Sequence, residues 1–443
     1  MRLFLVSILA FGMTYAFTGS WTVYSDVQYS RCGIEHNGNV WFGTEGGIVQ
    51  LDPSKGNYAV YTHLDGLGDL DIVSLTEDDD GNLWYAAANG YIGVFSEGKW
   101  FSAGELADNH YRINRMIFHD GGLWICTSSG LVRANPAPAT FTIAQFVDFF
   151  EHFADLPVQT EATDIAFLHD TVFVGTPYCL AFAPMDTNLF ASESWDTAAI
   201  WLDETQSRGI TALAVHHDTL WALADVNYGE TTLFFLQNGT FHQAAPSYHD
   251  ELAYDLVSMF DTLWSLSFRG IFYYSPSSNS MHKIPVDGPF YSVYSLVDFG
   301  GEKIAGTRYG YATFDGDTFR NVMFNAPVGS DVADVSFANN GAVVVAAHNE
   351  GANVFYDGKW SQFNIHTTMD YVEDDSLFDC VSRVFWAVCS AVLTDDGTIW
   401  IGSYGNGLLK ITEDYSFDVW NAENSSLVSS VPGENYTVVS KLR

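Results

Sequence analysis

Cysteine is scarce in this sequence, and the few cysteines do not form a metal-binding pattern. The 443 residues include five cysteines, with no Cys-x-x-Cys pair and no Cys/His cluster, which excludes the common structural zinc motifs. Cys380 and Cys389 are nine residues apart, a spacing that allows a small disulfide loop in an oxidising compartment. The odd count leaves at least one free thiol, and we predict no metal site.

Basic residues are also few. The chain has 18 lysine and arginine residues against 54 aspartate and glutamate residues, which gives a net charge of −36. A field of this sign repels nucleic acid and anionic membrane surfaces, so the sequence predicts neither as a partner. Acidic stretches such as Asp78-Asp79-Asp80 lack the ligand spacing of an EF-hand loop, and we interpret them as solvated loops.

Long apolar runs are absent except at the N-terminus. Arg2 precedes the apolar residues 3–11 and the small-residue sequence Thr14-Tyr15-Ala16, which together are typical of a secretory signal peptide. The run is shorter than the roughly 20 residues that span a bilayer. We therefore predict a signal peptide over residues 1–16, and an exported, soluble mature protein that is periplasmic, at the cell surface or extracellular.

Motifs that carry catalysis are missing as well. The sequence contains no Gly-x-Ser-x-Gly, no His-Glu-x-x-His and no phosphate-binding glycine-rich loop. A general acid–base site would need a histidine beside a carboxylate, and the pairs considered are His348 with Glu350 and His110 with Glu45. We predict no catalytic residues and no cofactor.

What the sequence does contain is a repeated pattern of turn and apolar anchor. Nine two-residue turns are each followed, three residues after the second turn residue, by a large apolar residue, and successive anchors are 40–56 residues apart. The anchors are Trp41, Trp84, Trp124, Phe173, Trp221, Trp264, Ile304, Val344 and Trp400. A period near 40–45 residues built from short strands is typical of β-propeller blades. We predict an all-β propeller of four-stranded blades with the anchors on second strands, where they fill the space between blades.

The number of blades per ring stays open from the sequence. Residues 17–443 hold nine units of about 40–50 residues. Either one ring contains eight or nine blades, or seven close and the rest begin a second, truncated ring from about residue 320; we favour the second arrangement. Residues 436–440 look like a new first strand, so we expect the array to continue past Arg443. The extra segment 146–153 is predicted as a short amphipathic helix.

The first and last complete units carry a specific motif. Residues 38–48 read GNVWFGTEGGI, residues 396–403 read DGTIWIGS, and an Asp65-Gly66-Leu67 loop joins the first two units. These stretches resemble two-component regulator propeller repeats, with a weaker motif in units four to eight. The resemblance implies either the periplasmic sensor half of a hybrid histidine kinase or the propeller of exported PorZ-like type IX secretion components. The absence of kinase motifs and of a membrane span favours the second. Virginiamycin B lyase has similar units, so a propeller lyase is the alternative.

Loops around one mouth of a propeller tunnel hold the candidate ligand-binding residues. These residues are Glu45, Asn89, Arg269, Arg308, Tyr309 and Tyr404. In so acidic a chain, Arg269 and Arg308 are candidate anchors for a carboxylate or a sugar acid; the alternative is that each pairs with a neighbouring aspartate. Tyr309 and Tyr404 are candidates for stacking on a sugar or peptide. We therefore predict a non-catalytic module that binds an acidic glycan, an acidic peptide or a protein partner at the tunnel mouth.

Overall fold

Each unit of turn and anchor forms one antiparallel sheet of four consecutive strands. The computed structural model describes residues 22–137, 144–200, 208–227, 230–246, 248, 250–287, 292–368, 371–372, 374–432 and 434–443. In the first unit both residues of the Asn37-Gly38 turn have positive φ, as this two-residue hairpin requires. The turn places Trp41 opposite Ile34 across the first strand pair. The predicted fold class is confirmed.

Within the described residues there are nine sheets, numbered here in chain order. Sheets 1 to 3 consist of β1 (Ser30–His36), β2 (Asn39–Thr44), β3 (Gly47–Asp52), β4 (Asn57–Tyr61); β5 (Ile72–Glu77), β6 (Leu83–Ala87), β7 (Ile92–Ser96), β8 (Lys99–Ala103); and β9 (Ile113–His119), β10 (Gly122–Thr127), β11 (Gly130–Pro136), β12 (Ala144–Phe150). Sheets 4 and 5 consist of β13 (Asp164–Leu168), β14 (Thr171–Gly175), β15 (Leu180–Pro184), β16 (Asp196–Ala198); and β17 (Ile210–His216), β18 (Thr219–Asn227), β19 (Glu230–Gln237), β20 (Thr240–Gln243), with β21 (Asp250–Glu251) paired to β19.

The remaining sheets follow the same order. Sheets 6 and 7 consist of β22 (Ala253–Met259), β23 (Thr262–Ser267), β24 (Gly270–Ser275), β25 (Ser280–Ile284); and β27 (Val293–Phe299), β28 (Glu302–Thr307), β29 (Gly310–Phe314), β30 (Phe319–Val322), with β26 (Val286–Asp287) parallel to β30. Sheets 8 and 9 consist of β31 (Val332–Phe337), β32 (Val343–Ala347), β33 (Gly351–Tyr356), β34 (Lys359–Phe363); and β35 (Val388–Leu393), β36 (Ile399–Gly405), β37 (Leu408–Ile411), β38 (Phe417–Trp420), with β39 (Thr437–Val438) paired to β36.

Helices are short and few among the described residues. The α-helices are α1 (Glu105–Asp108), α2 (Ile365–Thr368) and α3 (Asp375–Phe385), and single 3₁₀ turns cover His63–Asp65 and Ser192–Ser194. None of these described helices has the length and apolar character that crossing a bilayer requires. The predicted signal peptide, residues 1–16, lies outside the described residues.

The first strands of sheets 1 to 7 contact one another in order around an axis. β1 contacts β5, each later first strand contacts the next, and β27 of sheet 7 returns to contact β1. Two glycines, each two residues after an anchor, show how close the neighbouring sheet lies: a Cβ on Gly43 would be 2.6 Å from Ile72, and one on Gly306 would be 2.7 Å from the carbonyl oxygen of Ser30. Sheet 7 therefore packs against sheet 1 in the same way as sheet 1 packs against sheet 2, and the seven sheets close into a ring.

Sheets 8 and 9 lie outside this closure and pack on each other through β31 and β35. After sheet 9, Val439 occupies the place of a next first strand, because a Cβ on Gly402 would lie 2.3 Å from the Val439 carbonyl oxygen. Val332, Val335 and Phe337 on β31 are exposed, whereas most residues on the first strands of the closed ring are buried or half-buried. That the last two sheets begin a second ring stays a prediction.

The hydrophobic core lies between neighbouring sheets. All nine anchors are among the described residues, and the first eight are buried, whereas Trp400 of sheet 9 is only half-buried. Trp84, for example, packs with Leu123 and Ile125 of the next sheet. Large apolar side chains at this position fill the gap between adjacent blades, and Trp400 has no further sheet in the described chain to cover it.

One predicted helix is wrong. Residues 146–153 begin inside β12, which pairs with β11 from Pro136–Ala144 to Leu131–Phe150. The exposed or half-buried side chains between buried Ala144 and Phe150 face both sides of an outer strand. A polar and apolar pattern over so short a segment fits both the helical and the strand period. The segment forms a strand because the edge of β11 is free to pair with it.

Replacing Gly47 by alanine should destabilise the protein more than the same change at Gly38. Both glycines have positive φ, +123° and +71°, but a Cβ on Gly47 would lie 2.2 Å from the Tyr61 carbonyl oxygen, whereas none would be within 4 Å at Gly38. We expect a loss of about 2–4 kcal/mol for Gly47→Ala and about 1 kcal/mol for Gly38→Ala. Urea denaturation measures both, and equal losses would contradict the steric argument.

Candidate functional site

One side of the closed ring gathers the starts of the first strands and the ends of the second strands. Ile113 of β9 donates its N–H to the carbonyl oxygen of Ala88, beyond the end of β6, and Ile210 of β17 donates to Thr176 in the same way. Loops from second to third strands and from one sheet to the next therefore lie on this side, here called the loop face. The predicted residues on its loops are Glu45, Asn89, Arg269, Arg308 and Tyr309.

A polar cavity of about 550 Å³ lies in the tunnel of the ring, lined by β1, β5, β9, β22 and β27. Three tyrosines contact one another along its wall: the Tyr29 and Tyr294 ring centroids are 4.5 Å apart, and those of Tyr254 and Tyr294 are 4.4 Å apart. Burial raises the pKa of Tyr254 and of Tyr294, so their hydroxyls are neutral. The volume is in the range of small-molecule sites.

An arginine from sheet 3 reaches two aspartates from sheets 4 and 6. Arg115 Nε lies 3.2 Å from Asp164 Oδ1, and Arg115 Nη1 lies 3.0 Å from Asp255 Oδ1. Asp164 is buried and accepts the Leu213 N–H at 2.7 Å. Burial raises the pKa of Asp164 to about 6, although Arg115 opposes this shift. The two aspartates in turn raise the pKa of Arg115. We call these three residues the tunnel triad.

A second arginine lies at the tunnel mouth. Arg31 Nη2 donates to Glu45 Oε1 at 2.6 Å, and Arg31 Nη1 lies 2.9 Å from Asp71 Oδ1. Its guanidinium carbon lies 4.8 Å from the centre of the Tyr29 ring, close enough for a cation–π contact. The Glu45 carboxylate, a predicted ligand-binding group, is thus engaged by the chain's own arginine.

Arg308 and Tyr309 both contact Glu350, which comes from sheet 8. Arg308 Nη2 donates to Glu350 Oε1, and the Tyr309 hydroxyl donates to Oε2 at 2.8 Å. Tyr309 is only 1% exposed, so its ring does not offer a free face for stacking on a ligand. Arg308 is neutralised within the chain, and its partner is a glutamate rather than a neighbouring aspartate.

The other three predicted residues lie apart from this contact. Asn89 is exposed and donates to Asp69 Oδ2 at 2.6 Å. Arg269 is exposed on the loop before β24, and its N–H donates to Ser267 Oγ at 3.1 Å. Tyr404 is 59% exposed, but it belongs to sheet 9, outside the closed ring, where its ring packs edge-on against Tyr436. The structure therefore does not bring the six predicted residues into one site.

Exposed apolar side chains lie on the loops of the loop face. They are Leu64, Val158, Tyr178, Leu252 and Phe268, here called the exposed arc, and each is about half exposed or more. Leu252 and Phe268 are direct neighbours, because the Phe268 N–H donates to the Leu252 carbonyl oxygen at 3.1 Å. Arg112 lies on the same face in an exposed position. Its positive charge acts on the nearby Asp71 carboxylate, and its backbone N–H donates to Ser128 Oγ at 3.2 Å.

Sequence reasoning missed the residues that line the tunnel, yet a signal for three of them exists. Arg115, Asp164 and Asp255 each stand nine residues before an anchor, in units three, four and six. The first strands curve round the axis, so the same position in each unit faces the same level of the tunnel. Alignment of the units on their anchors would therefore have placed one cation and two anions at one level.

The histidine–carboxylate pairs considered for a lyase do not form. His348 Nδ1 lies 3.4 Å from Asp331 Oδ2, while Glu350 bonds Arg308 and Tyr309 and Glu45 bonds Arg31. Over the described residues no group of three or more His, Cys, Asp or Glu side chains is arranged to hold a metal ion. Cys380 and Cys389 are free thiols, on α3 and β35.

The fold is similar to that of PorZ, described as an essential bacterial surface component of the type IX secretion system of Porphyromonas gingivalis. The identity is 15% and the TM-score 0.66, and the match covers 94% of this chain and 55% of PorZ. This chain thus spans about half the length of PorZ. At this identity the similarity shows the fold and not the activity.

Structural similarities with lower scores are also found. They include the extracellular domain of a hybrid two-component system from B. thetaiotaomicron (13% identity, TM-score 0.35, 91% of this chain and 61% of that chain) and the WD40 propeller domain of Doa1 (14%, 0.48, 67% and 97%). No family model and no curated protein matches the sequence. The similarity to PorZ confirms the propeller fold that the resemblance to two-component regulator propeller repeats implies.

Proposed function

We propose that this protein is a non-catalytic recognition module that binds a partner protein at the tunnel mouth, through a segment carrying apolar side chains and a carboxylate. The observation that supports this most is the exposed arc on the loop face, with Arg112 and Arg269 exposed on the same face. Aromatic side chains and arginine are enriched in the cores of protein interfaces, and exposed apolar side chains that are neighbours, as Leu252 and Phe268 are, mark interaction surfaces.

The carboxylate in the proposed partner follows from the scarcity of positive charge. Arg112 offers an exposed guanidinium in a chain with 18 basic and 54 acidic residues, and a guanidinium binds a carboxylate through two parallel hydrogen bonds. A partner with many negative charges would be repelled by the net charge of −36. The partner segment is therefore mainly apolar with few acidic groups, which favours a peptide over a polyanionic glycan.

The proposed setting is outside the cytoplasm. It rests on the signal-peptide pattern of residues 1–16 and on the structural similarity to PorZ, a bacterial surface component. We propose a secretion-associated or sensor-like surface module.

A fluorescein-labelled peptide of leucine and phenylalanine that carries two aspartates tests the proposal by anisotropy titration. Phe268→Ser should weaken binding by about 10-fold or more, since exposed aromatic anchors at interfaces are worth roughly 2 kcal/mol. Arg112→Ala should weaken it by about 10-fold, because a charge-assisted hydrogen bond contributes about 1.5–3 kcal/mol. The peptide with asparagine in place of aspartate should show the Phe268 effect alone.

Phe101→Ser is the matched control. Phe101 is 48% exposed and Phe268 49%, but Phe101 lies on the outer strand β8, away from the tunnel mouth. An equal loss for Phe101→Ser would mean non-specific adhesion. Unchanged affinities for Phe268→Ser and Arg112→Ala would reject the site, and stronger binding of oligogalacturonate than of the peptide would favour an acidic glycan as the ligand.

A further inference from the structure

Arg308, Tyr309 and Glu350 form a complete carboxylate-binding arrangement. The Arg308 guanidinium bonds Glu350 Oε1, and the Tyr309 hydroxyl, 2.8 Å away, bonds Oε2, so each carboxylate oxygen has its own donor. The side chain of Glu350 is 16% exposed and that of Arg308 is 27% exposed. This is how a protein holds the acidic group of a ligand in a partly desolvated site.

The arginine of this arrangement is held in place from the tunnel side. Its guanidinium carbon lies 4.4 Å from the centre of the Tyr29 ring, and Tyr29 lines the tunnel cavity. The guanidinium carbon of Arg31 also lies near the Tyr29 ring, 4.8 Å from its centre. Arg308 therefore lies at the tunnel mouth, within reach of whatever occupies it, and its position does not depend on Glu350 alone.

The carboxylate comes from outside the closed ring. Arg308 and Tyr309 lie on the loop between β28 and β29 of sheet 7, whereas Glu350 immediately precedes β33 of sheet 8. Other contacts hold sheet 8 to the ring: the buried Asp26 carboxylate accepts the Gly329 N–H at 2.7 Å, and Asn325 bonds Gly358 and Trp360. Loss of the Glu350 contact alone would therefore leave the junction in place.

We propose that Arg308 and Tyr309 form a carboxylate-binding site at the tunnel mouth which the chain fills with its own Glu350. An acidic group of a partner reaches Arg308 only by displacing Glu350, so Glu350 acts as an internal competitor. The proposal deepens the proposed function, on which its ligand rests, by naming a second carboxylate contact and the residue that limits it.

The two partners of the ion pair should shift affinity in opposite directions. With the labelled leucine/phenylalanine–aspartate peptide, Glu350→Gln should raise affinity about 10-fold and Arg308→Gln should lower it about 10-fold. Tyr309→Phe removes one donor from whichever carboxylate fills the site, that of Glu350 or that of the peptide, so it should change affinity by less than about threefold. The double variant Arg308→Gln/Glu350→Gln should bind like Arg308→Gln. A merely structural pair would instead lower stability in both single variants and move affinity in neither or in the same direction.

A measurement that needs no ligand separates this proposal from the proposed function. Phenylglyoxal modifies accessible arginines, and peptide mass spectrometry reports the rate at each residue. Arg308 should react several-fold more slowly than Arg112 in the native protein, and faster in Glu350→Gln and Tyr309→Phe, with Arg112 unchanged. If no variant binds the peptide but Arg308 is released as described, the proposed function fails and the site stands. If Glu350→Gln leaves both the Arg308 rate and the affinity unchanged, the site is rejected.

Discussion

Replacing Trp84 by alanine should lower the free energy of unfolding by about 3–5 kcal/mol, whereas Trp400→Ala should cost about 1–2 kcal/mol. Trp84 is fully buried between sheets 2 and 3, and its Nε1 donates to Asp78 Oδ2 at 2.8 Å. Its removal leaves a cavity lined by rigid strands from two sheets, which are poorly able to collapse. Trp400 has the same place in its unit but is half-buried, so its replacement by alanine removes less buried apolar contact.

Urea unfolding followed by circular dichroism measures this pair of anchors. Trp84→Phe serves as a control that keeps most of the buried ring and removes the hydrogen bond, and it should fall between the native protein and Trp84→Ala. Similar losses for Trp84→Ala and Trp400→Ala would show that sheet 9 is covered in solution by another surface, such as a second copy of the chain. A change of midpoint with protein concentration would identify that case.

The repeat pattern predicted the strands well because it is local. A two-residue turn followed by an anchor three residues later determines a hairpin, and the hairpin determines which side of the second strand is buried. All nine anchors accordingly lie on second strands. Residues 146–153 were predicted wrongly because eight residues of mixed polarity fit both a helical and a strand period, and only the neighbouring strand β11 decides between them.

The site was predicted less well because its contacts are not local. The loops at the mouth were identified from the order of strands, but Arg308 meets Glu350 only because sheet 8 folds back beside sheet 7. Arg115 and Asp255 are 140 residues apart in sequence, and they meet only because seven sheets close into a ring. Tyr404 occupies the equivalent loop position in its unit, yet it lies outside the closed ring. Position within a repeat predicts the face of a sheet and not which sheets share a tunnel.

The tunnel triad should make stability depend strongly on Arg115. Arg115→Met leaves Asp164 and Asp255 facing the tunnel without their shared cation, and we expect a loss of about 3 kcal/mol at pH 7.5, toward the lower end for a broken buried pair because Arg115 is partly solvated. The matched control is Arg320→Met. Arg320 also contacts two aspartates, Asp287 and Asp315, at 2.8 and 2.7 Å, but it is exposed, so its loss should cost less than about 1 kcal/mol.

The raised pKa of Asp164 determines how the stability loss in Arg115→Met should change with pH. Burial raises the pKa of Asp164 to about 6 in the folded protein, above the value near 3.9 expected for the unfolded chain. A carboxyl whose pKa is higher in the folded protein than in the unfolded chain stabilises the fold most at pH values below the unfolded-state pKa. That stabilisation is lost as the pH rises toward 6. Without Arg115 the pKa of Asp164 rises further, so the stability of Arg115→Met should be much closer to that of the native protein at pH 5 than at pH 7.5.

Urea midpoints at the two pH values measure this difference in stability, with Arg115→Met/Asp164→Asn as the variant in which the pH-dependent part disappears. A loss for Arg115→Met that is equal at both pH values would show that the guanidinium contributes packing to the tunnel wall rather than charge.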